Sequence, residues 1–119
     1  KRAKSRVPPL IWNEQVAEVA RLHSRNMAAH NFFGHIGLDG REVDDRADAL
    51  GLYKWQMIGE NIAYNRGYSE PAERVIESWM KSAGHRDNLL NKRWKETGIG
   101  ISITSNGTYY FSQVFLLRR

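Results

Sequence analysis

Apolar side chains recur three or four residues apart between Val16 and Met27. This spacing places them on one face of a helix and predicts a helix over residues 14–29. Asn13 stands at the N-cap position, where its side chain can accept hydrogen bonds from the first turn. His23 lies on the same apolar stripe, so we interpret it as a packing or hydrogen-bonding residue rather than a ligand-binding one.

The pattern predicts three further helical segments. One covers residues 41–50 and ends at Gly51, a residue type that favours helix termination. Another begins at Pro71, since proline is tolerated in a first helical turn, and carries an apolar face that includes Val75 and Trp79. Gly84 interrupts this helix, and a short helical stretch follows it through Leu90.

Alternation of apolar and polar residues predicts three strands. Residues 57–64 form the first, although they include a glycine and a carboxylate. Isoleucines at every second position over residues 99–103, a turn at Asn106-Gly107 and residues 108–116 together predict a hairpin. The class is therefore α+β. We find no internal repeat or linker and expect a single domain over residues 1–119, with residues 1–9 as a basic, extended lead-in.

Composition and charge narrow the class of protein. The chain has 119 residues and a formal net charge of +5. It has no cysteine, and this absence excludes a disulfide framework and a thiolate metal site. Residues 7–117 carry 12 basic and 13 acidic side chains, so the basic excess is terminal and predicts no specific nucleic-acid partner. No apolar run is long enough to predict a transmembrane segment. Because the chain starts at Lys1 without a signal-peptide core, we interpret it as a mature or trimmed fragment.

Three polar residues stand where the pattern alone does not place them. His35 follows a predicted helix between glycines, Glu60 lies inside a predicted strand, and His85 lies at a helix junction. Two imidazoles and a carboxylate from separate elements can converge as metal ligands or as an acid–base set. Their spacing matches no local zinc signature, so three unrelated hydrogen-bonding residues remain the alternative on these grounds.

Several short motifs, taken together and in order, carry a family resemblance. They are residues 20–27, Phe33-Gly34-His35 with Asp39-Gly40, Gly59-Glu60-Asn61-Ile62-Ala63, residues 78–82 with Gly84-His85-Arg86, Asn88-Leu89-Leu90, and Thr97-Gly98-Ile99-Gly100. The chain resembles, over about residues 10–117, a bacterial member of the CAP superfamily of cysteine-rich secretory, antigen 5 and pathogenesis-related 1 proteins. The resemblance implies an α-β-α sandwich with a small antiparallel sheet between helical layers.

The resemblance also implies a cleft in which two histidines and two acidic residues can hold a divalent metal. By motif these are His35, Glu60 and His85, while Ser82 stands where the family places its second acid, and Asn61 is the other residue expected to line the cleft. With one carboxylate fewer, the site is expected to bind Zn²⁺ or another divalent transition metal weakly, because imidazole nitrogen suits late first-row ions.

Three functions follow from the resemblance. The first is an exported binding module, extracellular or associated with the cell envelope, that recognises an unidentified ligand through this cleft. The alternative is a zinc-dependent, protease-like hydrolase in which Glu60 is a ligand or the general base. The third is lipid or sterol binding. A metal-free serine mechanism with Ser82 and His85 is the weakest, since Ser82 is well placed to cap the following helix by accepting from the His85 backbone N–H.

Overall fold

The computed structural model describes residues 8–52 and 54–118, so the basic residues 1–7 of the expected lead-in lie outside the described part. The described residues form four helices and four strands. In chain order these are β1 (Ile11–Trp12), α1 (Glu14–His30), α2 (Val43–Ala49), β2 (Trp55–Arg66), α3 (Pro71–Lys81), α4 (Ala83–Leu90), β3 (Glu96–Ile103) and β4 (Thr108–Arg118).

The strands form one sheet in the order β1-β3-β4-β2. β3 and β4 form the predicted hairpin, and β4 also pairs antiparallel with β2, so that Glu60 lies opposite Val114. The three predicted strands pair antiparallel as expected, whereas the short β1 pairs in parallel with the start of β3. Its two residues are too few to form a period-two pattern, which is why alternation did not predict this strand.

Alternate side chains of β4 point to opposite faces of the sheet. Helices pack against both of these faces. Val114 and Leu116 are fully buried in a core that includes Val16 of α1. Phe111 and Phe115 belong to a second core on the other face, with side chains from α3, α4 and the segment before β3. The predicted α+β class and the layered arrangement of helices about a small, mainly antiparallel sheet are confirmed.

Glycines in β3 allow α1 to approach the sheet closely. A Cβ atom on Gly98 would lie 2.1 Å from the Ala17 nitrogen, and one on Gly100 would lie 2.2 Å from the Arg21 nitrogen. Neither position has room for a side chain. Ile99, Ile101 and Ile103 alternate with the small residues and point away from α1. Ile101 is 48% exposed, so the small-residue face of β3 is the one that is buried.

Candidate functional site

The candidate site is built around β2, which lies at an edge of the sheet. Successive side chains of a strand point to opposite faces, so Glu60 and Asn61 approach the site from different sides. Glu60 is on the face where Ile62 packs against Met27 of α1. Asn61 is on the face covered by α4, where its side chain donates to the His85 carbonyl. The cleft therefore has two halves, one beside Glu60 and one beside Asn61, and β2 lies between them.

His35 and Glu60 are in direct contact. His35 Nδ1 lies 3.0 Å from Glu60 Oε1, and because a carboxylate only accepts, the ring carries its proton on Nδ1. The Glu60 side chain is 2% exposed, whereas that of His35 is 54% exposed. The imidazole is thus anchored to a buried carboxylate by one nitrogen, while the ring itself faces solvent.

Arg46 of α2 completes this half of the site, although it was not among the residues predicted from the sequence. Its Nη2 lies 2.8 Å from Glu60 Oε2, and both side chains are almost fully buried. Its Nη1 donates to the carbonyls of His35 and Arg41. Arg46 therefore neutralises Glu60 and also holds the loop that carries His35. A signal was present in the sequence, because Arg46 lies three residues from Val43 and next to Ala47 on the predicted apolar face.

His85 forms the other half of the site. Its Nδ1 lies 2.9 Å from Ser82 Oγ, and its ring stacks on Trp79 with centroids 6.1 Å apart. Burial lowers the pKa of His85, and repulsion from His35 when that ring is protonated lowers it further. Ser82 occupies the N-cap position of α4 but makes no capping bond with its side chain. The expected cap is therefore wrong: the hydroxyl contacts the His85 imidazole rather than a backbone N–H.

Asn61 holds the two halves together from within the protein. It is fully buried, donates to the His85 carbonyl over 3.0 Å, and accepts from Asn88 Nδ2 over 3.0 Å. Asn88 also donates to the Glu60 carbonyl. This amide network fixes α4 against β2, so Asn61 positions the cleft.

The three predicted metal ligands do not form a compact ligand group. Within residues 8–52 and 54–118, only the exposed or half-exposed acids Glu42, Asp44 and Asp45 place three ligand atoms within 4.8 Å of one another. Glu60 also has one oxygen against Arg46 and the other against His35. Zinc binding by His35, Glu60 and His85 stays a prediction.

His23 supports the loop that leads to His35. It is fully buried, and its Nε2 lies 2.7 Å from the Gly34 carbonyl, so the ring donates there. Its Nδ1 is buried with no hydrogen-bond partner in the described structure. Burial is the main cause that lowers the pKa of His23, because a second ring proton would be buried without an acceptor.

This environment predicts that the protein is less stable in acid. A lowered folded-state pKa means that the unfolded chain binds more protons below its own histidine pKa of about 6.5, so the free energy of unfolding falls as the pH drops through that value. Urea unfolding at about pH 7.5 and 5.5 measures this. His23→Gln should reduce the difference, and the exposed His30→Gln should preserve it. Equal wild-type stability at both pH values would contradict the assignment.

Comparison with known proteins places this architecture in a family. The family model described as "CAP: Cysteine-rich secretory protein family" matches residues 1–115. Among curated proteins, the chain is 36% identical over 117 residues to the Bacillus subtilis protein named "Uncharacterized membrane protein YlbC", covering 98% of this chain and 31% of that protein. It is 33% identical over 112 residues to "Uncharacterized protein YkwD" of the same species, covering 94% and 41%. The chain thus spans a third to two-fifths of these relatives.

Solved structures of other proteins share this fold. An extracellular protein of Bacillus anthracis that contains an SCP domain superposes with a TM-score of 0.84 at 30% identity, covering 98% of this chain and 36% of that one. An outer surface protein of Borrelia burgdorferi superposes with a TM-score of 0.87 at 19% identity, covering 99% and 84%, and shares the fold. In the described residues, no helix combines the length and apolarity of a membrane span. By fold, motif order and family match, the chain belongs to the CAP family of cysteine-rich secretory proteins.

Proposed function

We propose that this chain is the binding domain of an extracellular or envelope-associated protein, and that it presents the Nε2 atoms of His35 and His85 to a ligand. The observation that carries the proposal is the buried Arg46–Glu60 pair, with His35 attached to it. The pair fixes the ring through Nδ1, and leaves Nε2 with a lone pair on an exposed imidazole. A ring held in one tautomer and orientation is preorganised for binding, because less freedom is lost when the ligand binds.

The position of Glu60 favours binding over hydrolysis. A general base needs a carboxylate oxygen within reach of the proton that it removes. Here one oxygen accepts from His35 and the other from Arg46, and the side chain is nearly inaccessible to solvent. Glu60 therefore acts through His35, as a positioning residue.

The His85 ring, on the opposite side of β2, is also held in place by its neighbours. Its Nδ1 pairs with Ser82 Oγ over 2.9 Å, and in the tautomer that donates this hydrogen bond the free lone pair is on Nε2. Stacking on Trp79 restricts rotation of the ring. The lowered pKa keeps His85 neutral near pH 7, which is the form that coordinates a metal or accepts a hydrogen bond.

The donor set fits a weak two-nitrogen metal site. Both imidazoles have Nδ1 engaged by an oxygen, as metal-binding histidines generally do. We propose that a late first-row ion such as Zn²⁺ binds at the two Nε2 atoms, where it would supply open coordination positions for an anionic or carbonyl group of the ligand. In this arrangement Glu60 and Ser82 orient the ligating rings instead of binding the ion.

Zinc titration by calorimetry tests this site. Wild type should bind one ion with a dissociation constant of about 10 µM or weaker, and His35→Ala or His85→Ala should weaken binding by at least about tenfold. Binding should also weaken below about pH 6.5 as the imidazoles protonate. His30→Ala is the matched control, because His30 is exposed at the end of α1.

Two results would contradict the proposal. Zinc affinity that is unchanged in His85→Ala would remove the shared site. Zinc-dependent turnover in a broad ester and peptide hydrolysis screen, lost in both His85→Ala and Glu60→Gln, would establish the hydrolase instead.

A further inference from the structure

The β2 edge of the sheet is closed by side chains of the helices. The Ile62 carbonyl accepts from Trp79 Nε1 of α3 over 3.0 Å, and the Glu60 carbonyl accepts from Asn88 Nδ2 of α4 over 3.3 Å. In an antiparallel strand the backbone groups of alternate residues point the same way, so both carbonyls face the outer side of β2. A further strand therefore cannot pair with β2 unless it displaces these side chains.

The opposite edge of the sheet is open along most of β3. There β1 pairs with Glu96 and Thr97 only, because the chain turns at Asn13, the N-cap of α1. Among residues 8–52 and 54–118, no strand lies beside residues 98–103 on this side. We call residues 98–103 the open edge of β3.

Isoleucines present the backbone groups of the open edge. The Thr97 carbonyl accepts from the Asn13 N–H over 2.9 Å on the β1 side, so Thr97 directs its backbone groups outward. Since this direction alternates along a strand, Ile99, Ile101 and Ile103 also direct their N–H and C=O groups outward. Within the described part of the chain, nothing bonds to these outward groups. Such a row of donors and acceptors is a template for pairing with another strand.

The side chains of the open edge favour pairing as well. Ile99, Ile101 and Ile103 are 36%, 48% and 56% exposed, on the face of the sheet that points away from α1. The helices on that face, α3 and α4, pack against β2. Residues 98–103 contain no charge and no proline, and their pairing with β4 has no bulge. Edge strands commonly avoid association by these devices, and the open edge has none of them.

We propose that the open edge pairs antiparallel with the open edge of a second copy of this chain, about a twofold axis at Ile101. In this register Ile101 lies opposite its own copy, and Ile99 lies opposite Ile103 of the partner subunit. A twofold interface needs a surface that is complementary to itself, and three isoleucines at alternate positions are. The register uses all three outward-facing residues and stops before Thr97, which β1 already covers.

The surroundings of the open edge are compatible with a second copy. Arg21, whose backbone lies against Gly100, forms ion pairs with Glu14 and Glu18, so its charge is compensated. Because the β2 edge is closed, β3 of one copy cannot pair with β2 of the next. The assembly therefore ends at two copies, with the two four-stranded sheets joined into one.

Sedimentation equilibrium of the 119-residue chain tests the inference. We expect a reversible dimer with a dissociation constant of about 10–100 µM, as suits a small interface. Ile101→Lys places two ammonium groups opposite each other and should weaken the dimer by at least about tenfold. Ile36→Lys is the matched control, because Ile36 is 58% exposed and lies outside the sheet. His85→Ala should also dimerise as wild type does, so the test is independent of the proposed function.

Disulfide cross-linking tests the register, since the chain has no cysteine of its own. In the proposed pairing the two copies of residue 101 have Cα atoms about 5.5 Å apart, which is within the range of a disulfide. The two copies of residue 103 are displaced by about 14 Å along the strands. Ile101→Cys should therefore cross-link under mild oxidation, and Ile103→Cys should not.

Three results would overturn the inference. Wild type that stays monomeric at about 500 µM would leave the open edge to a strand of another protein. A dimer that Ile101→Lys does not weaken would place the contact elsewhere on the surface. Cross-linking of Ile103→Cys as fast as that of Ile101→Cys would exclude the twofold pairing at residue 101.

Discussion

Gly100→Ala is expected to destabilise the protein by about 3 kcal/mol or more, a large part of the roughly 5–15 kcal/mol that usually stabilises a domain. The new Cβ would meet the backbone of α1 at 2.2 Å from the Arg21 nitrogen. Backbone cannot rotate away as a flexible side chain can, so α1 must move off the sheet and lose part of its buried contacts. Urea unfolding measures the loss.

The matched control for this substitution is Gly84→Ala. Gly84 lies in α4, and apart from its chain neighbours and the backbone of its own helix, no atom lies within 4 Å of where its Cβ would be. Alanine is the better helix former, so stability should equal or exceed that of wild type. A Gly100→Ala protein within about 1 kcal/mol of wild type would show that α1 and β3 do not approach as closely as described.

Arg46→Met is expected to cost about 3–5 kcal/mol, because it leaves the Glu60 carboxylate buried without its main cationic partner. Glu60→Met should have a comparable effect for the opposite reason. The double variant should recover much of the loss, since replacing both members of a buried pair by apolar side chains is often close to neutral. A double-mutant cycle of unfolding free energies measures this coupling.

The exposed pair between Arg74 and Glu77 provides the comparison. Its side chains are both 53% exposed and 3.7 Å apart, so Glu77→Gln should change stability by less than about 1 kcal/mol. Additive effects of Arg46→Met and Glu60→Met, with no coupling, would contradict the description of the pair as the scaffold of the cleft.

The predictable part of the fold was the part with a strong local signal. Asn13 caps α1 as expected, with its side chain accepting from Gln15 and Val16. Gly51 follows α2 with a positive φ of 78°. The hairpin of β3 and β4 also lies where alternation and the Asn106-Gly107 turn predicted it. These features depend on a few neighbouring residues, so the sequence alone carries them.

The site was less predictable because its contacts are between distant segments. The motifs indicated His35, Glu60 and His85, but they did not show that Arg46 takes one Glu60 oxygen and His35 the other. A charged residue on the apolar face of α2 was the available signal. Ser82 was misread for a related reason: its hydroxyl had two partners within reach, and the one that it contacts is the His85 ring, which stacks on Trp79.

The most direct test of the proposed cleft is the protonation state of the imidazoles, measured by long-range ¹H–¹⁵N NMR at about pH 8, where unperturbed histidine is neutral. We expect His35 to carry the proton on Nδ1 and the lone pair on Nε2, because Nδ1 contacts the Glu60 carboxylate, which only accepts. The proposal requires the same tautomer at His85, whose Nδ1 pairs with the Ser82 hydroxyl. The exposed His30 should show the averaged signals of exchanging tautomers and serves as an internal reference. A His35 ring protonated on Nε2 would contradict the proposal, since its lone pair would then face Glu60 instead of the ligand.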